Sequence, residues 1–107
     1  MSASDDTLGG YAVLHGRPPG FTGSDGHPYS VGVFSDDDRG PDGRFGAALL
    51  FIRWSASNAP DGHLESDYLA FSDSAATAEA EVSQLSLHDV KRILDGLIAS
   101  HGGSNLT

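Results

Sequence analysis

RFGAALLFIRW, residues 44–54, is the stretch that decides the fold of this chain. Its alternating positions are apolar on both sides: Phe45, Ala47, Leu49 and Phe51 on one, and Ala48, Leu50, Ile52 and Trp54 on the other. A helix also fits an apolar run of this length, but the turn residues at both ends and the aromatic residues favour a strand. A strand that is apolar on both faces is typical of the covered centre of a sheet. We therefore predict a central strand over 44–54.

Alternating side chains and turn signals predict further strands on either side, over residues 11–15, 29–35 and 63–72. Between them we expect turns at Pro41-Asp42-Gly43 and at Pro60-Asp61-Gly62. In both, proline presets φ and glycine accepts a positive φ. Consecutive strands joined by turns indicate an antiparallel meander.

The C-terminal part of the chain changes period and predicts a helix over 87–101. Ser86, followed three residues later by Asp89, fits a capping box at its start. One face of this helix carries an apolar stripe at helical spacing: Val90, Ile93, Leu94, Leu97 and Ile98. The glycines at 102 and 103 are expected to end it.

Residues 73–85 fit two patterns, because their apolar positions suit both a helix and an alternating edge strand. Alanine and glutamate disfavour strands, and Ser74 can cap a helix. We favour the helix and leave the edge strand open.

These elements indicate an α+β fold: a mainly antiparallel β-meander of about four strands, with one or two C-terminal helices packed on one face. At 107 residues the chain has the size of one domain. We place this domain at 8–103, with flexible termini at 1–7 and 104–107.

The composition excludes several classes of function. There is no cysteine, so disulfides, thiolate metal sites and a cysteine nucleophile are excluded. With 15 acidic and 6 basic residues, the formal charge of −9 disfavours a nucleic acid or an anionic membrane as partner. The first residues lack the basic and apolar segments of a signal peptide, and no stretch approaches the roughly 20 apolar residues of a membrane span. A cytoplasmic location is expected.

The connector HGRPPGFTGSDGHPY, residues 15–29, is too long for a simple hairpin loop. Its Asp25-Gly26 dipeptide predicts a turn, across which Phe21-Thr22 can pair with residues 27–29. Loops mounted on a rigid sheet often carry function. The candidate binding residues in this loop are Arg17, Phe21, Asp25, His27 and Tyr29. The alternative is a surface loop with one anchoring aromatic residue.

Other motifs give weaker signals for chemistry. Asp-Gly-His occurs at 25–27 and at 61–63, where two histidines at one sheet edge can share a metal ion, or each can simply follow a turn. The acidic run 36–38 can attract Ca²⁺, but its spacing fails the EF-hand pattern, so a solvated turn is expected. No hydrolase, zinc-protease or phosphate-loop motif is present. We predict no catalytic residue, no metal and no cofactor, and an enzyme is the less favoured class.

The second apolar face of strand 44–54 carries the functional prediction. One or two helices can cover only one face of a small sheet, so the other face needs loops, a second copy or another protein as cover. Trp54 and Tyr68 are residues of the kind that anchor interfaces, and we add them to the candidate binding residues. We predict a protein-interaction or regulatory module that self-associates through its sheet as a homodimer. The alternative is a small-molecule-binding or hydrolytic domain that uses the connector 17–29, with Asp25 and His27.

Overall fold

The computed structural model describes residues 6–104, and the backbone alone for residues 101–104. Residues 1–5 and 105–107, which belong to the predicted flexible termini, lie outside the described residues. In chain order the elements are α1 (Leu8–His15), β1 (Gly20–Thr22), β2 (Pro28–Ser35), β3 (Phe45–Trp54), β4 (Pro60–Glu65), β5 (Ala70–Ser72), α2 (Ala75–Ser83) and α3 (Leu87–Ser104). The α+β class is confirmed, with antiparallel strands and a C-terminal helix.

β3 is the centre of the sheet, as predicted. The strand order is β1-β2-β3-β4, and β5 also pairs with β3. β2 occupies one edge of β3, while β4 and β5 share the other, at residues 50–54 and 45–47 of β3. The predicted single strand over 63–72 is therefore wrong, because residues 66–69 leave the ladder between β4 and β5.

The strand predicted over 11–15 is also wrong, because these residues form the second half of α1. Thr7 caps this helix by accepting the Gly10 N–H at 3.0 Å. Gly16 ends it in the left-handed conformation, with φ of 67°. At Gly9, an added Cβ would lie 3.1 Å from the Cβ of Ser83, so glycine permits the close approach of α1 to α2.

The turn predicted at Pro60-Asp61-Gly62 lies earlier in the chain, at residues 55–59. The Ser55 N–H donates to the Ala59 carbonyl at 2.8 Å, and Asn58 adopts a positive φ of 63°. Asparagine tolerates the left-handed region better than most residues, so it can serve where the prediction expected glycine. Pro60 begins β4 instead, which suits a residue without an N–H at the start of an edge strand.

The helical predictions for the C-terminal part are confirmed. Ser74 caps α2, accepting the Thr77 N–H at 3.1 Å. Ser86 caps α3 in the same way, accepting the Asp89 N–H at 3.0 Å. The predicted stop at Gly102 and Gly103 is wrong, since α3 continues to Ser104. Glycine costs a helix only about 1 kcal/mol per residue relative to alanine, so it permits continuation as well as termination.

The hydrophobic core lies between the helices and one face of the sheet. Its buried members are Leu8, Tyr29, Val31, Ala47, Leu49, Phe51, Ala78, Val82, Val90 and Leu94. From β3 it takes only odd-numbered residues, as expected for side chains that alternate between two faces. The helices thus cover one face of the sheet, as predicted.

Leu94 tests this packing, because its side chain is fully buried against the sheet. Replacing Leu94 by alanine is expected to lower the free energy of unfolding by about 2–5 kcal/mol through the lost burial and the cavity left behind. The matched control is Leu14→Ala, since Leu14 is 54% exposed on α1. Urea unfolding of both variants measures the difference, and equal effects would contradict the packing.

Candidate functional site

The sheet face opposite the helices is formed by residues of β2, β3 and β4. We call it the open face, and its residues are Ser30, Gly32, Phe34, Ala48, Leu50, Ile52, Trp54, His63 and Glu65. The pairings Ser30↔Ile52, Gly32↔Leu50 and Phe34↔Ala48 place β2 and β3 residues side by side on it. Ile52↔His63 and Leu50↔Glu65 extend it onto β4. The large apolar residues of this face are half-buried, whereas Leu49 and Phe51 on the opposite face are fully buried.

One end of the open face carries an aromatic corner, formed by Arg44, Tyr68, Leu69 and Phe71. The Tyr68 ring lies on Gly46, where an added Cβ would approach the ring to 2.6 Å. The Tyr68 hydroxyl donates to Asp36 at 2.6 Å, and this hydrogen bond raises the pKa of Tyr68. Arg44 lies over the Phe71 ring at 5.1 Å, a cation–π contact. Tyr68 and Phe71 nevertheless remain 46% and 44% exposed, so apolar surface faces the solvent at this corner.

The other end of the open face is fixed by Trp54. Its indole Nε1 donates to Ser30 Oγ at 3.0 Å, which holds the ring across β2 and β3. Beside it lies a shallow concavity of about 400 Å³, lined by Arg17, Pro18, Gly20, Pro28, Tyr29, Ser30, Trp54, Ser55 and Asn58. Three predicted binding residues, Arg17, Tyr29 and Trp54, thus meet at one place. Tyr68, whose ring lies on Gly46, is at the opposite end of the open face, roughly eight residues or about 26 Å along β3 from Trp54.

The connector folds as the β1–β2 hairpin, with the predicted pairing of Phe21 with Tyr29 and of Thr22 with Pro28. Phe21 is half-buried and packs against the core, which anchors the hairpin. The turn is closed by Gly23 donating to the His27 carbonyl at 2.9 Å, with Gly26 at a positive φ of 83°. The connector is therefore regular structure rather than a free loop.

Asp25 uses both carboxylate oxygens to hold this turn. Oδ1 accepts the His27 backbone N–H at 3.0 Å, and Oδ2 accepts the Tyr29 hydroxyl at 2.8 Å. Burial acts to raise the pKa of Asp25, but these hydrogen bonds outweigh it and lower the pKa. Burial and the bond to Asp25 raise the pKa of Tyr29 to about 12. Asp25 is thus ionised at neutral pH and serves the turn, while the His27 side chain is exposed beside it.

The hairpin is also tied to α3. The Ser24 N–H donates to Asp95 at 3.0 Å, and Asp95 forms an ion pair with Lys91. The hydrogen bond from Lys91 lowers the pKa of Asp95 despite the opposing effect of burial. One carboxylate therefore joins the turn to the helix, and the hairpin tip has fixed surroundings.

The two Asp-Gly-His sequences do not share a site. Residues 25–27 close the β1–β2 turn, whereas residues 61–63 lie within β4. β3 separates β2 from β4, so two strand spacings, about 10 Å, lie between them. Across the described residues, no three histidine or acidic side chains are placed to hold a metal ion. In the acidic turn, Asp36 is bound to Tyr68 and Asp42 is paired with Arg44.

Part of both ends of the open face was not predicted from the sequence. Phe34 is a member of it, and its position in the strand predicted over 29–35 already placed it opposite Val31 and Val33. Ser30 orients Trp54, and Asp36 orients Tyr68; neither contact has a signal in the sequence, because each depends on which strands are neighbours.

Comparisons with protein-family models, with curated proteins and with solved structures find no match to this chain. None of the helices within residues 6–104 is long and apolar enough to cross a membrane.

The Asp25–Tyr29 contact gives a pH prediction. The pKa of Asp25 is lower in the folded chain than in the unfolded chain, where it is about 3.9. Its contribution to stability is therefore complete above pH 4 and is lost as the pH falls through the folded-state pKa. We expect Asp25→Asn to cost about 1 kcal/mol at pH 7 and progressively less below pH 4.

Urea unfolding at a series of pH values measures this effect. Tyr29→Phe in the same series completes a double-mutant cycle, whose coupling should shrink with falling pH. Asp37→Asn is the control, because Asp37 is exposed and its side chain forms no hydrogen bond or ion pair with another described residue. A coupling that stays constant down to pH 2 would contradict the assignment.

Proposed function

We propose that this chain is a small protein-interaction module that associates with a second copy of itself through the open face. One observation carries the proposal: four large apolar side chains lie side by side on the face away from the helices, namely Phe34, Leu50, Ile52 and Trp54. Burying such a side chain completely is worth roughly 1.5–3 kcal/mol. Because these side chains are only half-buried in one copy, burying the rest of their surface against a partner would contribute part of that free energy.

The size of the open face suits a weakly associating pair of copies. β2, β3 and β4 have 8, 10 and 6 residues, and at about 3.3 Å per residue and about 4.8 Å between strands they give a flat area on the order of 400 Å². Two copies would then bury about 800 Å², which is in the range of weak, transient contacts. The aromatic corner, contiguous with this face through Tyr68 on Gly46, adds to the area.

The edges of the sheet favour pairing by faces rather than by edges. β4 begins with Pro60 and carries Asp61 and Glu65. An antiparallel pairing of two β4 strands about His63 would place Asp61 of each copy opposite Glu65 of the other, which like charges disfavour. β1, at the other side, is only 3 residues long.

A second copy is the partner that fits best, because an apolar face with little charge is complementary to itself. A twofold axis brings the same patch from each copy together. Two sheets stacked in this way lie about 10 Å apart, with their strands about 30° from parallel. His63 and Glu65 on β4 are the titratable residues of the open face, and both lie at its side.

A small-molecule-binding domain is the second candidate, and the concavity beside Trp54 favours it. Its volume of about 400 Å³ is within the range of ligand sites. Arg17 supplies a cation and Trp54 an aromatic surface, both predicted as binding residues. The hydrolytic version of this alternative lacks such support, because the carboxylate of Asp25 is engaged by the turn.

The first candidate predicts concentration-dependent association. We expect sedimentation equilibrium from low micromolar to hundreds of micromolar protein to show a change from monomer to dimer. Ile52→Lys places a charge in the centre of the open face and is expected to leave a monomer throughout this range, because a buried lysine without a partner is costly.

Val13→Lys is the matched control, since Val13 is 74% exposed on α1, away from the open face. It should associate like the natural chain, and circular dichroism should confirm that both variants are folded. A natural chain that remains monomeric at hundreds of micromolar even in about 1 M salt, where surface charge is screened, would refute the proposal and favour the second candidate.

A further inference from the structure

The charge of the chain opposes the association proposed above. Each copy carries 15 acidic and 6 basic residues, so two copies bring together two formal charges of −9. Within the described residues, four of the basic side chains are already used in ion pairs: Arg44 with Asp42, Arg53 with Asp61, Lys91 with Asp95, and Arg92 with Asp89. Each copy therefore keeps an excess of negative charge after these pairs are counted.

Several carboxylates are exposed, and their side chains form no hydrogen bond or ion pair with another described residue. Asp37 and Asp38 lie in the loop that follows β2, three and four residues after Phe34, the last residue of β2 on the open face. Asp67, Asp73 and Glu81 are exposed elsewhere on the molecule. Such charges interact with one another through water, where salt screens them.

The attraction and the repulsion between two copies have different ranges. Contact between open faces depends on apolar side chains and acts only when water has been expelled. Repulsion acts over the Debye length, which is about 30 Å at 0.01 M salt and about 3 Å at 1 M. The molecule measures 39 × 36 × 22 Å, so at low salt the net charges of two stacked copies interact across much of both molecules, and at high salt only charges next to the contact do.

We propose that ionic strength controls self-association through the open face: the chain is held apart as a monomer in dilute salt and pairs in concentrated salt. This inference rests on the proposed function and adds its regulation. It assigns the acidic surface a role beyond solubility, since this surface sets the salt concentration at which the apolar face can be used.

The experiment is sedimentation equilibrium of the full chain in about 0.01 M and 1 M sodium chloride. We expect the dimer dissociation constant to fall by at least about tenfold between the two conditions. Concentrated salt also strengthens apolar burial directly, so salt alone does not isolate the effect of charge.

Charge variants separate the two effects. Asp37→Asn with Asp38→Asn removes two negative charges and changes the formal charge from −9 to −7. Asp37→Glu with Asp38→Glu is the matched control, because it alters the same positions and keeps the charge at −9. At 0.01 M salt the asparagine variant should dimerise several-fold more tightly than the glutamate variant, and at 1 M salt the two should agree.

Each outcome decides a separate point. Tighter pairing of the asparagine variant at low salt, lost at high salt, supports control by charge. If dimers form but their dissociation constant is the same at both salt concentrations and for both charge variants, this inference is overturned and the proposed function is left intact. A salt effect that is equal for both variants, with no difference between them at low salt, also overturns it. Monomers under every condition overturn the proposed function itself.

Discussion

The structure depends on one constraint: β3 is apolar on both faces, and the described helices cover only one of them. Leu49 and Phe51 are fully buried beneath α2 and α3, whereas Leu50 and Ile52 on the other side are half-buried. α2 and α3 follow one another directly after β5, joined by a short turn, so both lie on the same side of the sheet. The open face follows from this arrangement, because the same central strand that builds the core also presents a second apolar surface.

The aromatic corner arises from the way in which one edge of β3 is shared. Between β4 and β5, Ser66 donates its N–H to the Leu49 carbonyl at 2.9 Å, and its side chain accepts the Leu49 N–H at 2.9 Å. Leu69 then donates to the Ala47 carbonyl at 2.8 Å. These contacts satisfy the backbone of β3 while the chain departs from the ladder. The departure places Tyr68 over Gly46. An irregular segment that keeps the Leu49 and Ala47 backbone bonded thus adds an aromatic side chain to the open face.

The parts of the fold that were predictable are those with a repeating pattern or a local cap. The alternation over 44–54 and the caps at Ser74 and Ser86 need only neighbouring residues to be recognised. The strand predicted over 11–15 was wrong because its four consecutive apolar residues suit either period, and the caps at Thr7 and Gly16 lie outside this run. The meeting of Arg17 with Trp54 could not be predicted, since it requires the strand order. The open face itself could be predicted from two things: the apolar residues at every second position of β3, and the small number of helices available to cover the sheet.

The placement of apolar and charged surface also limits how many copies can assemble. Stacking by faces uses the one sheet face that the described helices leave open, and the opposite face of each copy is closed by α2 and α3. Growth by edges meets Pro60, Asp61 and Glu65 on β4, and a strand of only 3 residues at β1. A contact of this kind is closed by its twofold axis, whereas contacts between unlike surfaces continue into fibres. The net negative charge reinforces this limit, because each added copy brings further repulsion without adding another open face.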